Sequence, residues 1–179
     1  AREKGAGLSL AVAQSSIFLN IVLPRLDPDI VRPHLQPLVE WHLKSMNPMN
    51  WARAFFFAGI LHYLMTGERP IRCDALDGQF MIDQRGQVFT CHPLLWSVGT
   101  LAETKLPEIL SGESATRLRP EIRACEACWE VCTARSSIRK NLGRVGLWMA
   151  WNKILAHRGA WTGKNPMWGF PVHRVKGNA

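Results

Sequence analysis

Five cysteines are the residues of this chain best suited to chemistry, and their spacing divides them into two groups. Cys125, Cys128 and Cys132 follow a C-x2-C-x3-C pattern in "CEACWEVC", whereas Cys73 and Cys91 stand alone with 17 residues between them. A C-x2-C segment turns two thiolates toward one metal, so the later trio predicts a metal site. An odd number of cysteines does not suit a disulfide framework, so we expect a reduced, cytosolic compartment.

The stretch between Cys73 and Cys91 predicts a β-hairpin. In "QFMIDQRGQVFTC", apolar residues alternate with others up to the turn residues 83–86, and Val88 lies on the return strand. Neighbouring strands lie about 4.8 Å apart, so the hairpin would bring the two thiols near each other. Four thiolates would then converge on one point. This geometry suits zinc or an iron–sulfur cluster, and spacing alone does not choose between them.

The cysteine pattern resembles a known family. Cys73, Gly86 and Cys91 form C-x12-G-x4-C, and "CEACWEVC" follows downstream. Together they resemble the auxiliary-cluster region of radical S-adenosylmethionine (radical SAM) enzymes, the SPASM domain or the shorter "twitch" domain. "FMIDQRGQVFTC" resembles the hairpin of that family and "VGTLAETKLPEIL" its linker. The resemblance covers roughly residues 68–135.

The resemblance implies a set of ligands. Cys73 and Cys91 match the first two ligands, and Cys125 and Cys128 match the twitch pair. Cys132 occupies a position that is also a ligand in the larger SPASM pattern, and which of the last three is spare stays open. A full SPASM domain has more cysteines than the five here and holds two auxiliary clusters. The resemblance therefore implies one auxiliary 4Fe–4S cluster.

The resemblance also implies a function. An auxiliary cluster in this family relays an electron from a substrate radical or positions the substrate, which is expected to be a peptide or a small molecule. An electron-donor protein is a further expected partner. The radical-generating C-x3-C-x2-C motif does not occur in the chain. We therefore expect the sequence to be a C-terminal fragment, with S-adenosylmethionine and a second 4Fe–4S cluster bound upstream of Ala1.

The secondary structure predicted around these cysteines indicates an α+β fold in three parts. Residues 1–67 would be the end of a partial (β/α) barrel, residues 68–135 the auxiliary-cluster domain, and residues 136–179 a basic amphipathic helix with a tryptophan-rich tail. The barrel part would begin with a buried strand in "GLSLAVAQS". We expect a short helix over residues 103–111.

Helix boundaries follow from proline and capping residues. The prolines of "LPRLDPDIVRPHLQP" are expected to prevent one long helix, with Asp27 or Asp29 capping a short one. A separate helix is predicted in "LQPLVEWHLKSMN". The next helix would begin at Asn50 as N-cap and end at Gly67. Ser136 or Ser137 would cap one long helix that ends at Gly159.

The basic residues are concentrated at the C-terminal end. No Asp or Glu follows Glu130, whereas residues 131–179 carry nine of the 22 Lys and Arg residues. The net charge of the whole chain is +8. The C-terminal helix has an apolar stripe formed by Ile138, Leu142, Val145, Trp148 and Met149. The default expectation is that this stripe packs on its own domain with a charged outer face. Peripheral contact with the inner face of a membrane, or with a partner peptide, is the next option, and nucleic acid is the least favoured.

Several individual residues carry alternative interpretations. Trp96 and Trp129 would shield a cluster, but core packing is favoured for both. For His92 we favour an exposed position over a hydrogen bond toward the site, and for Asp74 and Asp77 a turn over substrate contact. The alternative to an enzyme is a non-enzymatic zinc-binding interaction module that uses the basic helix as its contact surface.

Overall fold

A computed structural model of the protein describes residues 27–164 and residue 166. This part of the chain is an α+β fold with six helices and one antiparallel sheet of strand order β1-β2-β3. In chain order the elements are α1 (Pro28–Lys44), α2 (Pro48–Thr66), β1 (Met81–Ile82), β2 (Gln87–Phe89), β3 (Ser97–Thr100), α3 (Leu106–Ser111), α4 (Glu113–Arg123), α5 (Val131–Lys140) and α6 (Leu142–His157).

Helix α1 continues through two prolines. Asp27 is the N-cap, as expected, and its carboxylate accepts a hydrogen bond from the Asp29 backbone N–H at 2.8 Å. The expectation that prolines prevent a long helix here is wrong, because Pro33 and Pro37 both lie inside it. An internal proline costs about 3 kcal/mol. Burial of Leu35, Val39 and Leu43, at about 1.5–3 kcal/mol each, offsets that cost.

The N-cap of helix α2 lies three residues earlier than predicted. Asn47 caps it by accepting the Met49 N–H at 2.9 Å, and Pro48 occupies the first turn. Asn50 is therefore not the cap. Pro48 has a fixed φ that suits the first helical position, so the helix extends further toward the N-terminus than expected. The end at Gly67 is confirmed: its φ is 77° and its N–H donates to the Tyr63 carbonyl at 2.8 Å.

The predicted hairpin is present, and a third strand joins it. Met81 pairs with Phe89, and the turn between β1 and β2 contains Gly86 with φ 79°. The Asp83 carboxylate accepts the backbone N–H groups of Arg85 and Gln87 at 2.9 and 2.8 Å. The third strand, β3, follows Cys91 and pairs with β2. A small core beneath the sheet contains Leu76, Val88, Val98, Ile109 and Ala115.

The segment between the sheet and the later cysteines contains two helices. Helix α3 falls inside the predicted range 103–111. Helix α4 was not predicted, because its sequence "ESATRLRPEIR" is mostly polar, contains Pro120 and buries only Ala115 and Ile122. Its position is determined by tertiary contacts that a local pattern does not reveal.

The predicted long C-terminal helix is two helices, α5 and α6, separated at Asn141. Ser136 and Ser137 lie inside α5 and cap nothing; their hydroxyls instead donate to the Asp74 carboxylate at 2.6 and 3.1 Å. The predicted end at Gly159 is confirmed by its φ of 67° just after Arg158, the C-cap.

The main hydrophobic core is shared by helices α1, α2, α5 and α6. Ile138, Val145 and Trp148 from the C-terminal stripe are buried there, which supports packing on the chain's own domain, whereas Leu142 is 60% exposed. Contacts of the basic surface with a membrane or a partner stay predictions. Within the described residues, no helix is both long enough and apolar enough to cross a bilayer.

The expected barrel and its strand in "GLSLAVAQS" are not tested by these elements. That strand lies outside the described residues, and the described part of residues 1–67 contributes α1 and α2. The domain boundaries likewise stay predictions. The main core crosses both of them, since it includes residues of α2, Trp129 and residues of α6.

Candidate metal centre

Cys73 and Cys91 lie together in one buried cluster. Cys73 stands in the loop after α2, and Cys91 follows strand β2. Each is 6% exposed, and both belong to an apolar cluster with Ala75 and Ile122. The fold therefore brings together two thiols that are 17 residues apart in sequence.

Backbone N–H groups donate to four of the five thiols, and one of the four is Cys132, which accepts from Thr133. Ala75 donates to the Cys73 sulfur, Leu94 donates to the Cys91 sulfur, and Ala127 donates to the Cys125 sulfur at 3.4 Å. The turns after Cys73 and Cys91 each contain a leucine with positive φ, at Leu76 (66°) and Leu95 (45°). Hydrogen bonds of this kind stabilise a thiolate over a thiol.

Cys128 is held in place by its neighbour Trp129. Trp129 is fully buried, and its Nε1 donates to the Phe56 carbonyl of α2 at 2.9 Å. The indole lies directly against Gly59, where a Cβ atom would come within 2.5 Å of Nε1. The interpretation of Trp129 as a core residue is confirmed, and through it the C-x2-C loop is attached to the helical layer.

The thiols influence one another electrostatically. Burial raises the pKa of Cys73, of Cys125 and, to about 11, of Cys91. Negative charge on Cys128 raises the pKa of all three further. The positive charge of Arg69 lowers the pKa of Cys73 and of Cys125 and so opposes this effect, and a bound metal would supply further positive charge. The donor set therefore fits a metal centre.

Cys132 differs from the other four. It is the exposed cysteine of the set and lies in the first turn of α5. Burial raises the pKa of its thiol, and the Glu130 carboxylate, 3.6 Å from the sulfur, raises it further. A neighbouring carboxylate disfavours the thiolate that a metal requires.

The candidate site is defined by these interactions and not by a complete coordination shell. In the described part of the chain, no group of three or more His, Cys, Asp or Glu side chains is arranged to hold a metal ion.

Arg69 is a residue of this site that the sequence pattern did not indicate. It is 4% exposed, and its Nη1 atom lies 3.5 Å from the Cys128 sulfur and 3.1 Å from the Thr133 hydroxyl. Its own backbone N–H donates to the Glu126 carboxylate. The sequence shows that Arg69 stands four residues before Cys73. Only the fold brings it into contact with Cys128, 59 residues away in sequence.

The remaining polar candidates have mainly structural roles. Asp77 and Gly78 donate their backbone N–H groups to the Asp74 carbonyl at 3.0 and 2.7 Å, so the interpretation of Asp74 and Asp77 as turn residues is confirmed. Asp77 also forms ion pairs with Arg119 and Arg123. His92 is exposed, as favoured, and Trp96 is 36% exposed, so its expected core position is wrong.

Comparison with known proteins gives one match. The family model of SPASM, an iron–sulfur cluster-binding domain, matches residues 73–133. No curated protein and no solved structure matches the chain significantly. The matched range begins at Cys73 and includes all five cysteines together with β1–β3, α3 and α4. Residues 73–133 of this chain are therefore similar to iron–sulfur cluster-binding domains of the SPASM/twitch type, a type that is typical of radical SAM enzymes.

Proposed function

We propose that this chain is the C-terminal part of a radical SAM enzyme and binds one auxiliary 4Fe–4S cluster. Bound there, the cluster would supply electron relay or substrate positioning during radical modification of a peptide or a small molecule. The observation that carries the proposal is the family match over residues 73–133, a range that contains all five cysteines and in which Cys73 and Cys91 are buried in one cluster. S-adenosylmethionine and its own cluster would be bound by residues upstream of Ala1.

We assign the ligands as Cys73, Cys91, Cys125 and Cys128, and we assign Cys132 as the spare cysteine. Cys73 and Cys91 are buried in one cluster, and Cys128 is buried beside the Arg69 cation. Cys132 is exposed and faces a carboxylate. These ligands would be oriented by the turns after Cys73 and Cys91 and by the packing of Trp129.

The test is metal content after anaerobic purification and reconstitution. We expect brown protein with about four iron and four sulfide ions per chain, measured by chemical assay and by Mössbauer spectroscopy. Cys128→Ser should lose most of this iron, because thiolates hold such clusters. Cys132→Ser is the matched control and should keep it.

Two results would contradict the proposal. Colourless protein with one zinc ion per chain would favour the zinc-binding interaction module. Iron loss in Cys132→Ser with retention in Cys125→Ser would keep the cluster but overturn the ligand assignment.

A further inference from the structure

Arg69 lies in the loop after α2, and its guanidinium points into the protein interior. Its Nη1 donates to the Cys128 carbonyl, and its Nε donates to the Ile71 carbonyl at 3.3 Å. Its Nη2 donates to the Ser137 hydroxyl at 3.4 Å. The guanidinium carbon also lies 5.2 Å from the centre of the Trp129 ring. The guanidinium is thus fixed by three segments of the chain.

Within the described residues, the guanidinium of Arg69 forms no direct side-chain ion pair. The ion pairs of that region join other groups: Asp77 with Arg119 and Arg123, and Asp74 with Lys140. The Glu126 carboxylate is bonded to the backbone N–H of Arg69. Burying a guanidinium is costly; the Glu126 carboxylate, which interacts electrostatically with Arg69, offsets part of that cost, and a further anion nearby would offset more.

The sulfur of Cys128 is the group in direct contact with the guanidinium that carries negative charge as a thiolate. It lies 3.5 Å from Nη1, and the Thr133 hydroxyl lies 3.5 Å from the same sulfur and 3.1 Å from the same nitrogen. Arg69 and Thr133 therefore surround one side of this sulfur. The charge of Arg69 also reaches Cys73 and Cys125, whereas Cys91 accepts hydrogen bonds from the Leu94 N–H and the Thr90 hydroxyl and, among the residues that the structure describes, has no cation beside it.

We propose that Arg69 raises the reduction potential of the iron–sulfur cluster by hydrogen bonding and charge at the Cys128 thiolate. This inference rests on the proposed function and adds a specific positioning residue to it. Reduction adds one electron, and hence one negative charge, to the centre. A fixed cation beside a ligand sulfur stabilises that added charge, and hydrogen bonds to sulfur act in the same direction.

The experiment is a redox titration of the reconstituted full chain with dithionite, followed by EPR. Arg69→Gln removes the charge and keeps an N–H donor, and we expect a lower midpoint potential. A tenfold weaker preference for the reduced form corresponds to about 59 mV for one electron. Arg69→Lys keeps the charge and should fall between Arg69→Gln and the natural protein.

Arg85→Gln is the matched control, since it removes the same charge from the exposed tip of the hairpin. Its potential should stay within the error of the natural protein. An unchanged potential in iron-loaded Arg69→Gln, or an equal shift in Arg85→Gln, would overturn the inference while leaving the cluster proposal intact.

A second measurement requires no stable variant. In natural protein labelled with ¹⁵N-arginine, the reduced cluster should show a ¹⁵N hyperfine coupling by pulsed EPR, because Nη1 is in contact with a ligand sulfur. If Arg69→Gln fails to retain iron, the presence of this coupling supports the inference and its absence overturns it. Natural protein that binds no iron–sulfur cluster overturns the inference together with the proposed function.

Discussion

Gly59 lies on the face of α2 that receives the Trp129 indole. A Cβ atom at this position would lie 2.5–2.7 Å from three indole atoms. We expect Gly59→Ala to destabilise the protein by about 1–3 kcal/mol, because the ring must shift or the helix must move. Urea unfolding measures this change. Since Trp129 follows Cys128 directly, the variant should also retain less iron after reconstitution.

Gly146→Ala in α6 is the control for this substitution. Among residues 27–164 and residue 166, and apart from the adjacent backbone of α6 itself, no atom lies within 4 Å of the position that its Cβ would occupy. Alanine is favoured over glycine inside a helix by about 0.5–1 kcal/mol, so this variant should be slightly more stable. Equal effects of the two substitutions would show that the indole is not pressed against Gly59.

His42 gives a pH dependence that is independent of the cysteines. It is 3% exposed between the rings of Trp41 and Phe57, and burial followed by the charge of Arg53 lowers its pKa from 6.5 to about 4. Between pH 6.5 and about pH 4, His42 binds a proton in the unfolded chain but not in the folded chain. The contribution of neutral His42 is therefore complete above pH 6.5 and is lost as the pH falls toward 4.

We expect the cluster-free protein to lose about 2 kcal/mol from this source between pH 7.5 and pH 5. His42→Leu removes the titrating group and should lose correspondingly less over the same interval. The measurement is urea unfolding of both proteins at the two pH values. Identical pH dependence of the two proteins would contradict the prediction.

At the scale of the elements, the Lys153 side chain of α6 caps the C-terminal end of α1. Its ammonium group donates to the Leu43 and Ser45 carbonyls at 3.0 and 2.7 Å and lies 4.7 Å from the centre of the Trp51 ring. We expect Lys153→Met to lower the free energy of unfolding by about 2 kcal/mol, because two carbonyls at a helix end lose a charged donor. Thermal or urea unfolding measures this loss.

Lys44→Met is the matched control on α1. The Lys44 side chain is 45% exposed, and its ammonium lies 4.0 Å from the Glu40 carboxylate. Such an exposed pair contributes little, so we expect a change within about 0.5 kcal/mol. If Lys44→Met lowered the free energy of unfolding as much as Lys153→Met, the effect would come from losing a positive charge near α1 and not from losing the hydrogen bonds of Lys153 to the Leu43 and Ser45 carbonyls.

The elements that the sequence predicted correctly are those with strong local signals. The hairpin was predicted from alternation and turn residues, and the end of α2 from Gly67. The failures came from places where long-range packing outweighs local preference. Helix α1 contains two prolines, and Ser136 and Ser137 bind Asp74 across 62 and 63 residues and so do not cap a helix.

The cysteines of the candidate site could be proposed as ligands from the sequence, and that assignment stays a prediction; the residues that surround them could not be proposed. Cysteine spacing indicates which thiols belong together, because thiolates are the chemical requirement of the centre. Arg69, Thr133 and Glu126 acquire their roles only when the loop after α2 meets the C-x2-C loop. No local pattern marks such contacts.

For the whole molecule, cluster binding should be coupled to the stability of the helical layer. Trp129 belongs both to the C-x2-C loop and to the core of α1, α2, α5 and α6. A ligand that binds only the folded state raises its stability, so we expect the reconstituted protein to melt at a higher temperature than the cluster-free protein. Far-UV circular dichroism, which reports mainly the helices, measures this difference.

The variants already described provide the control for this coupling. Cys128→Ser should melt at one temperature with or without reconstitution, whereas Cys132→Ser should behave like the natural protein. A helix signal that melts identically in loaded and cluster-free natural protein would show that the loop and the helices unfold independently.

The shared core bears on how this protein can be divided. A piece cut to residues 73–133 would retain Trp129 but lose Phe56 and Gly59, against which the indole packs, and Ile138 and Trp148 of the same core. It would expose a large aromatic surface to water and leave the C-x2-C loop without its anchor. Shortened versions meant for cluster work should therefore keep α2, α5 and α6, and boundaries drawn from sequence similarity alone would yield an insoluble product.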